Sequence, residues 1–246
     1  QHNTAVGHSA LSTATTADLN VGIGYGAGDS ITTGGTNVCI GYIAGGDTTT
    51  GGDNVYIGRQ AGQYDNANTT GSDNTVIGAY CRTSSTTVTG EMVLGRYALG
   101  QGANTVTLGI SGYGATLGLD GSDTSWAAHS DERLKENIET STAGLSFIND
   151  LRPVTYTWKS KKDIPKEFEN YYEDSDDPVN GVAGKTYHGF VSQEMKATID
   201  AHAEVKDGNN LWSKKLDDIQ HLAPSNLVPM LTKAIQELSA ELNELK

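Results

Sequence analysis

Apolar residues in the first half of the chain come in short groups at a fixed interval, separated by Thr, Gly, Asn and Asp. The segments NTAVGHSA, NVGIGYGA, NVCIGYIA, NVYIGRQA and NTVIGAYC begin at Asn3, Asn20, Asn37, Asn54 and Asn74, in steps of 17, 17, 17 and 20 residues. EMVLGRYA at Glu91 is a degraded sixth copy, and NTVTLG at Asn104 is a partial one. The shared pattern, N-x-x-(I/V)-G-x-x-A, predicts one short strand and a turn per copy. Its fourth position (Val6, Ile23, Ile40, Ile57, Ile77) is always β-branched, which predicts a buried strand site. The glycine that follows predicts a bend or a close backbone approach that a Cβ would block. Ala10, Ala27, Ala44, Ala61 and Cys81 share a slot for small side chains. The asparagine can bond turn backbone or stack as a ladder from coil to coil. One such coil cannot bury its apolar face alone, so the copies must stack as a solenoid. A disordered tract would not keep an Ile-Gly pair in step.

After residue 129 the pattern changes. DERLKENIE (131–139) predicts the start of a helix, and AGLSFINDL (143–151) a second one with apolar Leu145, Ile148 and Leu151. PVTYTWK (153–159) alternates like a strand, KDIPKEFENYYEDSDDPVNGVAGK reads as a long acidic loop, and TYHGFVSQEMKATI as a strand running into a helix. At the end Leu231, Ile235, Leu238, Leu242 and Leu245 are spaced 4, 3, 4, 3, with Val228 one step before. That is a heptad seam, and it predicts a coiled coil over 227–246.

Charge and composition sharpen this division. The 246 residues carry a formal net charge of -13 with a pI near 4.7, which argues against nucleic acid or an anionic membrane as partner. No apolar run reaches the ~18–20 residues of a membrane span, so no membrane insertion is expected. Residues 1–129 hold three basic residues (Arg59, Arg82, Arg96) against nine acidic ones and no lysine, whereas 130–246 hold 14 basic and 21 acidic. Such a break predicts two domains, 1–129 and 130–246. Apolar residues at 36% and aromatics at 7% make a thin core for one chain. A homotrimer would add buried area between chains, and the heptad seam points the same way. Cys39 and Cys81 fall in repeat positions and read as packed free thiols, consistent with assembly in a reducing cytoplasm. The start at Gln1, inside a repeat, predicts a fragment of a longer chain.

Residues 1–110 resemble the β-roll repeats of trimeric bacterial adhesin heads and phage tail fibres. In the second half, SDERLKENI, LRPVTYTWK, HGFVSQEM and LVPMLTKAIQELSAELNEL occur in that order. Together they resemble the C-terminal intramolecular chaperone domain of phage tailspikes and tail fibres, known best from endosialidases. That resemblance implies a fold class: a mainly β repeat solenoid in a trimeric fibre, then an α+β chaperone domain ending in a trimeric coiled-coil helix. It also implies that the domain drives trimeric folding and then cuts itself off with a serine–lysine dyad, which maps onto Ser130 and Lys135 of the S-D-x-R-x-K core. The residue types fit such chemistry. A serine hydroxyl needs a base, and a lysine serves once burial or a neighbouring cation such as Arg133 makes its proton easier to lose. Five residues of continuous α-helix would set the two side chains ~140° apart, so Ser130 should lie at or before an N-cap with Lys135 reaching back. The helix N-terminus would then also stabilise an oxyanion. Attack on the preceding carbonyl makes His129–Ser130 the favoured bond.

The implied protein is a virion tail fibre or tailspike, folded in the host cytoplasm, that binds a host cell-surface receptor or polysaccharide. Two rivals stand beside it: a bacterial surface adhesin with a non-cleaving trimerisation domain, and a polysaccharide-degrading spike. Ser130 by itself is an ordinary helix start. The six histidines have no metal-ligand spacing, so no metal or cofactor is expected. EDSDD (173–177) has no calcium-loop pattern, and the repeat aspartates Asp29, Asp47, Asp53 and Asp73 read as turn residues.

Overall fold

The computed structural model describes residues 2–63, 68–111, 113–119, 121, 125–128, 130–208, 210–214 and 218–245. The chain divides into two compact units, Gln1–Glu136 and Asn137–Lys246.

The first unit is a β-solenoid of about six turns. Strands β1 (Thr4–Val6), β2 (Val21–Ile23), β3 (Val38–Ile40), β4 (Val55–Ile57), β5 (Thr75–Ile77) and β6 (Met92–Leu94) each supply three residues to one parallel sheet. Their register follows the repeat, Val21 against Val38 and Ile23 against Ile40. β7 (Thr105–Ile110) continues the parallel order. β8 (Tyr113–Gly118) and β9 (Ala127–Ala128) then add on antiparallel.

A buried asparagine ladder runs up the coils. The Asn37 side-chain oxygen accepts from the Asn54 N–H at 3.1 Å and from the Asn54 Nδ2 at 3.0 Å, while Asn37 Nδ2 donates to the Gly51 carbonyl at 2.9 Å. Asn20, Asn54 and Asn74 repeat the arrangement. Both readings of the asparagine, turn bonding and ladder, hold at once. The ladder ends where Glu91 replaces the sixth asparagine. Its N–H still donates to Asn74 Oδ1, and its buried carboxylate accepts from the N–H groups of Ser84 (2.8 Å) and Gly102 (2.7 Å).

The glycine of the motif is a close-approach site. Gly41 has φ +130, and a Cβ there would lie 2.6 Å from the Gly58 carbonyl oxygen. The small slot is confirmed, with Ala27, Ala44, Ala61 and Cys81 fully buried. Cys39 and Cys81 are free buried thiols, both pushed up to about 12 chiefly by burial, which makes them poor nucleophiles.

The β-branched fourth position departs from expectation. The residue that points inward is the middle one of each strand, Cys39, Tyr56, Val76 or Val93, because strand side chains alternate. Ile23 and Ile77 are each 38% exposed and Val6 is 57% exposed, so this column forms an outward apolar stripe.

The second unit is a small α/β fold. Short helix α1 (Leu145–Asn149) comes first, and α2 (Ser192–Ala201) and α3 (Ala203–Lys206) lie between two antiparallel hairpins. These are β10 (Val154–Tyr156) with β11 (Tyr187–Gly189), and β12 (Trp212–Lys214) with β13 (Gln220–Leu222). The core gathers Phe147, Met195, Ile199, Val205, Leu211 and Leu227. The acidic loop between β10 and β11 is stitched along its length by the ion pairs Lys162–Asp176 at 2.5 Å, Lys166–Glu173 at 3.6 Å and Lys161–Asp177 at 3.9 Å.

The final helix α4 (Val228–Glu244) matches the predicted span. It buries Ala234 and sends Glu237 to the N-terminus of α1, accepting from the Leu145 N–H at 2.7 Å. The heptad residues lie elsewhere on its surface, and all six are exposed, from 42% at Leu231 to 84% at Leu245.

Two outcomes test this description. Asn37→Ala leaves the Asn54 and Gly51 backbone groups without partners in a sealed interior. It should destabilise the solenoid by about 2–4 kcal/mol in urea unfolding. The second concerns His202, whose ring bonds Asp150 and Glu204, each at 2.8 Å. These bonds raise its pKa, Asp150 contributing most. The resulting stability is full below the free histidine value of ~6.5 and is lost as the pH climbs through the raised folded value. Denaturant midpoints followed by tryptophan fluorescence should fall on that climb, and His202→Gln should flatten the fall.

Candidate functional site

Residues 130–136 lie in the first unit, directly after the short β9 edge, and all are exposed. Only Glu132–Leu134 is helical, as a single 3-10 turn. Asp131 is its N-cap, with φ -64 and ψ 132, and accepts from the Arg133 N–H at 2.9 Å. Lys135 already has extended backbone, φ -122 and ψ 149. The helix predicted over 131–139 therefore stops after one turn.

Ser130 lies just before the cap, where the spacing argument puts it. With the turn opened at Lys135, that side chain folds back over the turn and Nζ donates to Ser130 Oγ at 2.8 Å. The side chains predicted to act as a pair are within hydrogen-bond reach. His129, on the other side of the expected scissile bond, falls outside the described residues.

Arg133 has a different role from the one expected. Its guanidinium forks onto Asp131, Nε to Oδ1 at 3.0 Å and Nη2 to Oδ2 at 2.5 Å. This pairing holds the Asp131 carboxyl below the usual range and Arg133 above its own. The positive charge that was to act on Lys135 is thus neutralised locally. The oxyanion role foreseen for a helix N-terminus also falls away, since one turn carries little dipole and the Asp131 carboxylate already takes the Arg133 N–H.

The remaining histidines have ordinary partners. His2 contacts Asp18 at 3.1 Å, His8 stacks on Tyr25, and His188 and His221 sit in two-stranded hairpins. Among the described residues no group of three or more His, Cys, Asp or Glu side chains is placed to hold a metal. No helix is long and apolar enough to cross a membrane among those residues.

Sequence reasoning missed a column of stacked side chains up the solenoid. His8 stacks on Tyr25, Tyr25 on Tyr42, and Tyr80 on Tyr97, with ring centroids 5.2, 5.5 and 4.7 Å apart. Arg59 fills the gap, 5.5 Å from the Tyr42 ring centre and 5.2 Å from that of Tyr80, and Arg96 lies 4.7 Å from that of Tyr97. The signal was available just after the motif glycines: His8, Tyr25, Tyr42, Arg59 and Arg96 one place on, and Tyr80 and Tyr97 two places on.

Neither the curated proteins nor the solved structures give a match to this chain. A family model described as the chaperone of endosialidase, a family of self-cleaving peptidases, matches residues 130–204. That stretch begins at Ser130 and takes in the Ser130–Lys135 pair, the β10–β11 hairpin and α2. Residues 130–204 are thus similar to the endosialidase chaperone domain, and the β-solenoid strands precede them.

Proposed function

We propose that this chain is the distal part of a homotrimeric phage tail fibre or tailspike. Its C-terminal domain drives trimerisation and folding, then releases itself by autoproteolysis. The observation that carries the cleavage reading is the 2.8 Å contact between Lys135 Nζ and Ser130 Oγ, at the start of the matched stretch.

The chemistry balances within the chain. With Lys135 as the neutral amine, its Nζ lone pair takes the Ser130 hydroxyl proton across that contact while Oγ attacks the His129 carbonyl carbon. The C–N bond breaks as the proton passes to the Ser130 amine, leaving His129 joined to Oγ as an ester. Water hydrolyses the ester, giving a His129 carboxylate and a free N-terminus at Ser130. Attack on Ser130's own carbonyl would require a four-membered ring.

Two unpartnered apolar surfaces support the trimer. One is the Val6–Ile23–Ile77 stripe, and the other is the heptad seam of α4. A three-stranded coil at the C-terminus would raise the local concentration of three solenoids and set their register before the slow non-local β contacts form. Removing the assembly aid would make unfolding irreversible, so the mature fibre is kinetically trapped. In the single chain Ser130 and Lys135 both face solvent. Neighbouring chains would exclude water from the pair, tying cleavage to assembly.

Mass spectrometry of the purified chain is the direct test. The native protein should yield a C-terminal piece of 117 residues, 130–246, and Ser130→Ala and Lys135→Ala should both stay intact. An uncut native chain that is still trimeric would remove the protease and leave the chaperone. A second test uses Ile235→Asp, which places a charge in the seam. It should give monomers by light scattering and reduce cleavage at least tenfold, although Ile235 is far from Ser130 in sequence.

A further inference from the structure

The column of stacked side chains has an electrostatic property that its packing does not explain. Arg59 and Arg96 are two of only three basic residues before residue 130, against nine acidic ones. An arginine in such surroundings would ordinarily pair with a carboxylate. Here each lies exposed on tyrosine faces, and neither makes an ion pair among the described residues. Stacking on a ring fixes the guanidinium plane and leaves its N–H edge free for a planar anion.

The two occupy the same repeat position, Gly58-Arg59 and Gly95-Arg96, with Gly78-Ala79 between them. Parallel strands sit ~4.8 Å apart, so two coils place the cations ~10 Å apart along the solenoid axis. The Tyr80 and Tyr97 rings lie between them, and Tyr25 and Tyr42 extend the column with half-exposed rings. The rest of the solenoid is acidic and repels polyanions, which confines any anionic ligand to this strip.

We infer that the Arg59–Arg96 column binds an acidic polysaccharide lying along the fibre axis, with a carboxylate on every second sugar. One sugar advances a glycan by about the distance of one coil, so a charge on alternate sugars meets a cation on alternate coils. Two exposed charge contacts bind weakly and in a salt-dependent way, and three copies in a trimer would raise the avidity. This inference rests on the reading of the chain as a surface-binding fibre, and adds the ligand class and the site.

Affinity electrophoresis of the whole chain tests it. Gels contain hyaluronate, with a carboxylate on alternate sugars; polygalacturonate, with one on every sugar; or neutral dextran. Hyaluronate should retard the native chain at least tenfold more strongly than either other polymer, and added salt should weaken the effect. Arg59→Gln and Arg96→Gln should each lose most of the retardation and the double variant all of it, while Lys185→Gln keeps it. No retardation by hyaluronate, equal retardation by polygalacturonate, or retardation that survives the double variant would overturn the inference. The comparison of polymers uses the native chain, so it stands even if a variant folds poorly. A trimeric, self-cleaving chain that ignores hyaluronate would sink this site alone. A chain that binds hyaluronate but neither trimerises nor cleaves would sink the fibre reading instead.

Discussion

The central coils of the solenoid are held each to the next by a buried asparagine (Asn20, Asn37, Asn54, Asn74) whose amide has its donors and its acceptor engaged. The geometry leaves little freedom. The side-chain oxygen of one asparagine takes both the backbone N–H and the side-chain amide of the next, and its own amide closes the turn. A shift of one residue would leave these groups unpaired in a dry interior, which costs more than the bonds themselves contribute. Register is therefore set by polar groups, and the apolar side chains follow. Once the asparagines align, the motif glycines stack with a carbonyl oxygen where a Cβ would be, and the small slot closes over Ala27, Ala44 and Ala61.

That constraint also decides what the solenoid leaves outside. A three-residue strand has one inward position, and it takes small or medium side chains in most coils, with Tyr56 the exception. The larger β-branched residues point outward, where one chain has nothing to cover them. The C-terminal helix behaves similarly. It holds its own unit together through Ala234 and the Glu237 cap of α1, and leaves its heptad residues exposed. Both units are folded yet apolar on the outside, and contiguous exposed apolar surface of this kind marks association.

The 130–136 stretch shows how a small local change alters chemistry. An α-helix continued through Lys135 would have turned its side chain away from Ser130. Instead Asp131 caps the turn and takes Arg133 as its partner, and the backbone opens at Lys135. The serine and lysine then meet across a single turn. Asp131 and Arg133 act here as structural residues that shape this turn, and the charge of Arg133 is absorbed in doing so.

The repeat, the asparagine ladder, the close-packed glycines and the span of the last helix could all be read from the sequence. Each depends on a fixed spacing of residues whose chemistry admits few alternatives. The Ser130–Lys135 pairing was legible as a possibility, because the types and the interval were right. Which way the β-branched column faces was not, since period-2 alternation says only that neighbours differ and not which one is inside. Nor was the partner of Arg133, because two charges of opposite sign lay equally near in sequence. The stacked column of Arg59 and the tyrosines was hidden for a similar reason. Its members are 17 to 21 residues apart and become neighbours only after the coils stack. Local spacing determined the coil, and only the stacking of coils decided which side chains meet solvent and which meet each other.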